Sequence, residues 1–242
     1  MLRVIVFLKN VLILFPITII FYPLSKLALF VTYFNYLLIW IYKNKKHCQY
    51  STPFTLSRDH DRRYKLYEFV LDAYNAENEK ITYLEFGVAD GDSYMWWLKN
   101  NKNESSHFIG FDTFEGLPEK WGAFFKKGDM SSDIKQLEDE RSLFVKGLFQ
   151  NTLNTFISEK AQIMNAANRK MIHMDADLYS STLFVLSQLY PFLKKGDIIF
   201  FDEFNVPLHE FKAFREFTQS FYIELYPIGF VNNFYQTVFI VK

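Results

Sequence analysis

The sequence predicts an α/β protein with a mostly parallel β-sheet, a terminal antiparallel strand pair and a hydrophobic helical segment in front. Short apolar, β-prone runs alternate with stretches of helical period from residue 61 onward. A glycine-rich turn follows the first of these runs. Two β-rich runs without room for a crossover helix close the chain, which indicates an antiparallel pair. Continuous apolar strands separated by helices are typical of a parallel sheet covered on both faces.

The first 43 residues are predicted to associate with a membrane. Between residues 10 and 42 the only charged residue is Lys26, which separates two apolar stretches of 16 residues each. A complete crossing takes about 20 apolar residues, so the segment fits one tilted or kinked span or a re-entrant hairpin bent at residues 23–25. A cleaved signal peptide is disfavoured because the apolar region is too long. The lysines and arginines after residue 42 predict a catalytic domain on the cytoplasmic side.

Composition restricts what the rest of the chain does. Residues 44–60 are polar and mixed, and are predicted to form a linker before a domain at residues 61–242. The 27 basic and 27 acidic side chains balance, so no overall positive field points to nucleic acid. The single cysteine, Cys48, excludes an intrachain disulfide and a cysteine-based metal site.

The predicted elements of the domain alternate along the chain. A first helix is predicted at residues 62–75, where apolar residues recur at helical period. The strands that follow are predicted at residues 81–86, 107–111, 143–145, 171–174 and 197–201, with helices at 182–193 and 209–217. The terminal antiparallel pair is predicted at 221–225 and 234–241, joined through Pro-Ile-Gly and Asn-Asn.

The turn after the first strand is the most informative motif. Glu85 is followed by Gly87, Gly91 and Ser93, and then by an apolar run compatible with a helix. A strand that enters a helix through a glycine-rich turn binds nucleotide-like ligands, because glycine lets the ligand approach the backbone closely. The spacing differs from the G-x-G-x-x-G of dinucleotide-binding proteins and from the P-loop. It therefore predicts a nucleoside without a pyrophosphate.

Acidic residues follow four of the predicted strands. They are Glu85, Asp112, Asp175, Asp177, Asp202 and Glu203. Ligands of open α/β sheets bind beyond the carboxyl ends of the strands. Carboxylates gathered there repel one another unless a cation or hydrogen-bond donors compensate. The pattern predicts a ligand site with a bound cation, and a solvated acidic rim without a metal is the alternative.

Further segments carry a family resemblance. They are Ile109–Glu119, Gly128-Asp129, Val145–Gly147 and His173–Thr182, the last followed by a helix, a glycine turn and the acidic pair Asp202-Glu203. With the glycine turn they resemble class I S-adenosylmethionine-dependent methyltransferases, and more narrowly the macrocin/mycinamicin-type (TylF-like) sugar O-methyltransferases. The resemblance covers about residues 55–242 and leaves the hydrophobic N-terminus outside. It implies a Rossmann-like, seven-stranded, mostly parallel sheet with a terminal antiparallel hairpin.

The resemblance also implies the ligands. S-adenosylmethionine would be the methyl donor, and a hydroxyl of a sugar or a lipid-linked glycan would be the acceptor. Glu85, Gly87, Gly91 and Ser93 would shape the pocket for the methionine end of the cofactor. Asp112 would accept hydrogen bonds from the ribose hydroxyls, and a local turn cap is the alternative for this residue.

A divalent cation, Mg²⁺ or a similar ion, is implied as well. It would be held by Asp175, Asp177, Asp202 and Glu203, and would lower the pKa of the acceptor hydroxyl. Either Asp175 or Asp177 would then act as the general base. The acidic pair of the family is usually Asp-Asp, and Glu203 departs from it. His173, inside an apolar strand, is predicted to be a hydrogen-bonded core residue rather than a base.

Two other functions fit the chain. The first is a nicotinamide-dependent oxidoreductase on a related fold, which the missing G-x-G-x-x-G disfavours. The second is a catalytically silent membrane-anchored scaffold, which the intact carboxylates disfavour. The sequence identifies neither the acceptor nor the oligomeric state.

Overall fold

A computed structural model describes residues 1–122, 124–133 and 137–242. Among these residues eight strands form one sheet in the order β1-β7-β8-β6-β5-β2-β3-β4. The strands are β1 (Tyr50–Ser51), β2 (Ile81–Phe86), β3 (His107–Asp112), β4 (Ser142–Lys146), β5 (Arg169–Met174), β6 (Ile198–Phe201), β7 (Leu225–Val231) and β8 (Gln236–Val241).

Helices cover both faces of this sheet and precede it. They are α1 (Leu2–Leu14), α2 (Tyr22–Asn44), α3 (Arg62–Ala73), α4 (Asp92–Asn100), α5 (Phe149–Glu159), α6 (Ala161–Met164), α7 (Tyr179–Leu189) and α8 (Glu210–Ser220). Each face of the sheet has its own hydrophobic core, because side chains alternate along a strand. In β2, for example, Leu84 and Phe86 belong to one core, and Ile81 and Tyr83 belong to the other.

The sheet topology places a ligand site beside β2. Strands β2 to β6 are parallel to their neighbours, whereas β8 runs antiparallel to both β6 and β7. The chain first extends the sheet from β2 to β3 and β4, and then crosses over to β5 on the other side of β2. Such a reversal opens a crevice at the carboxyl ends of the two central strands. The predicted mixed α/β sheet with a terminal antiparallel pair is confirmed.

The predicted number of strands is wrong by one. Tyr50 and Ser51, within the segment predicted as a linker, pair in parallel with Gly229 and Phe230 of β7. Without this pairing β7 would be an edge strand with unsatisfied backbone groups. The segment before the domain therefore adds an eighth strand to the sheet.

The last hairpin is displaced from its predicted position. Residues 221–224 are not a strand, and Pro227 and Gly229 lie inside β7 at an irregularity in the pairing with β8. The actual turn contains Asn232, Asn233 and Phe234, all with positive φ. Asparagine tolerates this left-handed conformation. A proline and a glycine were therefore misread as the turn, although a bulge accommodates both.

The N-terminal segment is helical, and Ile19–His47 is long and apolar enough to cross a bilayer. The predicted bend at residues 23–25 is wrong, because α2 already begins at Tyr22. Pro23 lies in the first turn of α2, where its missing N–H has no intrahelical partner to lose. The C-terminal half of α2 packs on the domain: Leu37 is buried, and Trp40 contacts the ring of Phe204.

Candidate functional site

A cavity of about 600 Å³ opens at the carboxyl ends of the central strands. The turn after β2, the acidic ends of β3, β5 and β6, and the loop after β3 all line it. Predicted site residues that line it are Gly87, Asp112, Asp175, Asp177, Asp202 and Glu203. The fold therefore brings these six residues from four strand ends to one crevice.

Gly87 fits between two neighbouring strand ends. Its φ is +96°, and its N–H donates to the carbonyl of Phe111 at 2.9 Å. A Cβ at this position would overlap the carbonyl oxygen of Asp175. Only glycine combines this backbone conformation with this close approach. The turn is thereby held against the ends of β3 and β5, next to the carboxylates.

Asp112 joins the glycine turn to the loop after β3. Its Oδ2 accepts hydrogen bonds from the backbone N–H groups of Val88 and Ala89, both at 2.8 Å. Its Oδ1 accepts one from the N–H of Phe114 at 2.7 Å. The turn cap, the alternative interpretation of Asp112, is therefore present. Because a carboxylate has about four lone-pair sites and three are used, an acceptor site on Oδ1 remains beside the cavity.

Glu85 and Ser93 lie behind the cavity rather than in its wall. Glu85 is only 1% exposed, and it accepts a hydrogen bond from the hydroxyl of Tyr83 at 2.5 Å. Burial raises the pKa of Glu85 to about 8. Ser93 shares a hydrogen bond with the hydroxyl of Tyr67 at 3.0 Å. Gly91, with φ +82°, begins α4 and does not line the cavity either.

His173 belongs to the same buried group. Its Nδ1 is 2.9 Å from the hydroxyl of Tyr83, and its Nε2 is 3.4 Å from the hydroxyl of Tyr67. Burial lowers the pKa of His173 to about 3, so the imidazole is neutral at physiological pH. The prediction of a hydrogen-bonded core histidine is confirmed.

Three carboxylates among the described residues form a compact cluster. Asp175, Asp177 and Glu203 each offer one oxygen atom, and these atoms lie within 4.8 Å of one another. Asp202 lines the same cavity but is not a member of this cluster, in contrast to the predicted set of four. Its Oδ2 is 3.5 Å from Nε2 of Gln236. Asp202 starts the turn after β6, and its side chain is drawn toward β8 by this contact.

The electrostatics of the cluster call for a positive charge. Burial, followed by the neighbouring Asp202 and Glu203, raises the pKa of Asp175 well above its usual range. Burial and Asp202 also raise the pKa of Asp177 to about 7. Within the described part of the chain, Oε2 of Glu203 is buried without a hydrogen-bond partner. All the donors are oxygen atoms, the type that hard divalent cations prefer, so the residues fit such an ion.

The cavity also contains residues that the sequence did not indicate. Arg58 and His60 line it, although residues 44–60 were predicted as a linker. Tyr235 lines it from the turn before β8 and donates from its hydroxyl to Oε1 of Glu203 at 2.8 Å. No local motif marks these residues, because the hairpin and the linker meet only in the folded chain. The apolar part of the wall comes from the loop after β3, through Leu117 and Trp121 among others.

Comparison with known proteins agrees with this architecture. The sequence profile of a family described as a methyltransferase domain matches residues 84–204, which is half of the chain. Curated proteins gave no match.

Three solved structures share the fold. CalS11, a calicheamicin methyltransferase, is 20% identical over 87% of this chain and 91% of its own, with a TM-score of 0.54. The O-methyltransferase NovP is 21% identical over 75% of this chain and 78% of its own, with a TM-score of 0.52. Apo CalS11, described as a TDP-rhamnose 3'-O-methyltransferase, is 21% identical over 76% and 81%, with a TM-score of 0.51.

Proposed function

The chain belongs to the methyltransferase domain family, and on that premise we propose that it is an S-adenosylmethionine-dependent O-methyltransferase. In this proposal the acceptor is a sugar hydroxyl, and a divalent cation assists. The observation that carries the proposal is the convergence of the glycine turn and the carboxylate cluster on one cavity. The structures that share the fold include an O-methyltransferase and a methyltransferase of TDP-rhamnose, which supports a sugar acceptor.

The β2–β3 side of the cavity suits the methyl donor. Gly87 lets the ligand approach the backbone, and the remaining acceptor site of Asp112 is available to a ribose hydroxyl. Glu85, Gly91 and Ser93 act indirectly in this proposal, by holding the turn from behind. Carboxylates recognise hydroxyl groups well because both oxygens are acceptors.

The β5–β6 side suits the acceptor and a cation. Asp175, Asp177 and Glu203 would hold the ion, with Asp202 alongside. A bound divalent cation supplies Lewis acidity, which lowers the pKa of a hydroxyl next to it. Of the two aspartates after β5, Asp177 is the better candidate to receive the proton. Its φ of +55° places a strained residue at the cavity, which is common where function requires an unusual backbone.

Binding of the cofactor is tested by calorimetry on the full-length protein in detergent. We expect S-adenosylhomocysteine to bind and NAD not to bind. Asp112→Asn removes a charge from the hydrogen bonds to the turn and the ribose, and is expected to weaken binding of S-adenosylhomocysteine about tenfold or more. Binding of NAD instead would favour the oxidoreductase, and binding of neither ligand would favour the silent scaffold.

The role of the cation is tested by a methyl-transfer screen over glycans, with Mg²⁺ present or removed by a chelator. Glu203→Gln is expected to abolish metal-dependent transfer and to weaken binding of Mn²⁺, measured by electron paramagnetic resonance. Glu203→Asp is the matched control, since it keeps the charge and is expected to retain part of both. Full activity without metal would remove the cation from the proposal and leave a methyltransferase.

Association with a membrane is part of the same proposal. The exposed apolar residues of α1 and of the first half of α2 support it, and so does the single stretch long enough to span a bilayer. We infer that residues 1–43 hold the domain at the cytoplasmic face and that the sugar is lipid-linked. Equal rates for residues 50–242 on soluble nucleotide sugars and for the full chain on lipid-linked sugars would contradict the lipid-linked acceptor.

A further inference from the structure

We propose that Arg58 binds an anionic group of the acceptor, either a phosphoryl group or a carboxylate, so that charged sugars are preferred to neutral ones. This inference rests on the proposed methyltransferase function and narrows its substrate class. Arg58 lines the cavity that contains the carboxylate cluster, together with His60. Both residues come from the segment between β1 and α3, at the open side of the cavity.

The backbone on either side of Arg58 is held by a pair of reciprocal clamps. The N–H of Thr55 donates to Oδ1 of Asn233 at 3.0 Å, and Nδ2 of Asn233 donates to the carbonyl of Thr55 at 2.7 Å. Asn232 forms the same pair of bonds with Asp59, at 3.2 and 2.7 Å. Fixing an exposed segment costs conformational entropy, which these four bonds offset. The clamps therefore keep Arg58 at a defined position over the cavity.

The guanidinium of Arg58 is oriented by a ring that also contacts the cluster. It lies over the ring of Tyr235, 3.3 Å from the centroid, and the hydroxyl of that same tyrosine donates to Glu203. This contact uses the flat face of the guanidinium and leaves its N–H edges open. Tyr235 thus fixes the distance between an anion bound at Arg58 and a hydroxyl bound near Glu203.

Those N–H edges have no partner in the described part of the chain. Arg58 forms neither a hydrogen bond nor an ion pair there, although four carboxylates line the same cavity. A residue that served only to neutralise the acidic cluster would pair with one of its oxygens. The guanidinium instead presents a planar fork of donors, which matches the paired oxygens of a phosphoryl or carboxylate group.

The inference is tested by calorimetry on the full-length protein in detergent, with Mg²⁺ and S-adenosylhomocysteine present. The probes are UDP-glucose for the phosphoryl source, methyl glucuronide for the carboxylate source and methyl glucoside as the neutral sugar. We expect at least one charged probe to bind more tightly than the neutral one. Arg58→Ala is expected to weaken binding of that probe about tenfold or more and to leave the neutral probe unchanged.

Arg215→Ala is the matched control. Arg215 also lies over a tyrosine ring, 4.0 Å from the centroid of Tyr36, but it does not line this cavity. We expect it to bind every probe as the wild type does. Neutral and charged probes of equal affinity in the wild type would overturn the inference. Equal loss for all probes in Arg58→Ala would also overturn it. A protein that binds a charged probe through Arg58 but transfers no methyl group contradicts only the proposed function.

Discussion

Trp40 of the N-terminal helix α2 packs edge-on against Phe204, with the ring centroids 4.9 Å apart. Phe204 follows directly on Glu203 of the carboxylate cluster. Trp40 also contacts Phe234, with the ring centroids 5.9 Å apart, and Phe234 precedes the Tyr235 that donates to Glu203. The helix predicted to associate with a membrane therefore supports, through one side chain, both segments that position Glu203.

Replacing Trp40 by alanine is expected to destabilise the protein by about 3 kcal/mol, because it removes a large ring from an aromatic cluster. Chemical unfolding in detergent would measure the change. Leu38 is the matched control, since it lies on the same helix and is 47% exposed. Leu38→Ala is expected to change stability by about 0.5 kcal/mol or less. Equal losses for the two variants would show that the contact with Phe204 adds no stability.

Shortening the N-terminus should separate membrane binding from folding. A chain without residues 2–31 keeps Tyr33, Leu37 and Trp40, which pack on the domain. We expect it to remain folded and to lose binding to lipid vesicles in a flotation assay. A chain without residues 2–48 loses those contacts and is expected to unfold at a lower temperature. Vesicle binding by the first of these chains would place the membrane contact elsewhere.

Gly87→Ala is expected to abolish binding of S-adenosylhomocysteine, because its Cβ would push the turn away from the carbonyl of Asp175. Gly196 is a control of nearly equal backbone conformation, with φ +94° against +96° for Gly87. A Cβ on Gly196 would meet nothing within 4 Å. Gly196→Ala should therefore cost only the conformational strain, about 1–2 kcal/mol, and retain binding. Calorimetry and thermal unfolding together distinguish the two effects.

Glu85 should make stability depend on pH. Its pKa is 4.5 in an ordinary setting and about 8 when buried in the folded protein. Between these two pH values the folded protein holds a proton that the unfolded chain releases. Stability from this residue is therefore full below about pH 4.5, declines as the pH rises to about 8 and then levels off.

Glu85→Gln should remove this dependence, because the amide does not titrate and its oxygen still accepts from Tyr83. The free energy of unfolding of the variant, relative to the wild type, is expected to increase by a few kcal/mol between pH 5 and pH 8.5. Urea unfolding at a series of pH values would measure it. Parallel pH profiles for the two proteins would show that Glu85 has an ordinary pKa in the folded state.

Local patterns determined a large part of this protein. The alternation of apolar runs placed β2 at its observed bounds, and the acids after the strands marked one edge of the sheet, because parallel strands end together. The glycine turn was recognisable because close approach demands glycine at particular positions, as the overlap at Gly87 shows.

Only the tertiary structure decided which side chains meet. The clamps of Asn232 and Asn233 bring Arg58 to the cavity across more than 170 residues of sequence, and no local pattern encodes that contact. The separation of Asp202 from the carboxylate cluster depends in the same way on Gln236 of a neighbouring strand. Periodicity and spacing describe neighbours along the chain, whereas these contacts depend on strand order and on the position of the last hairpin.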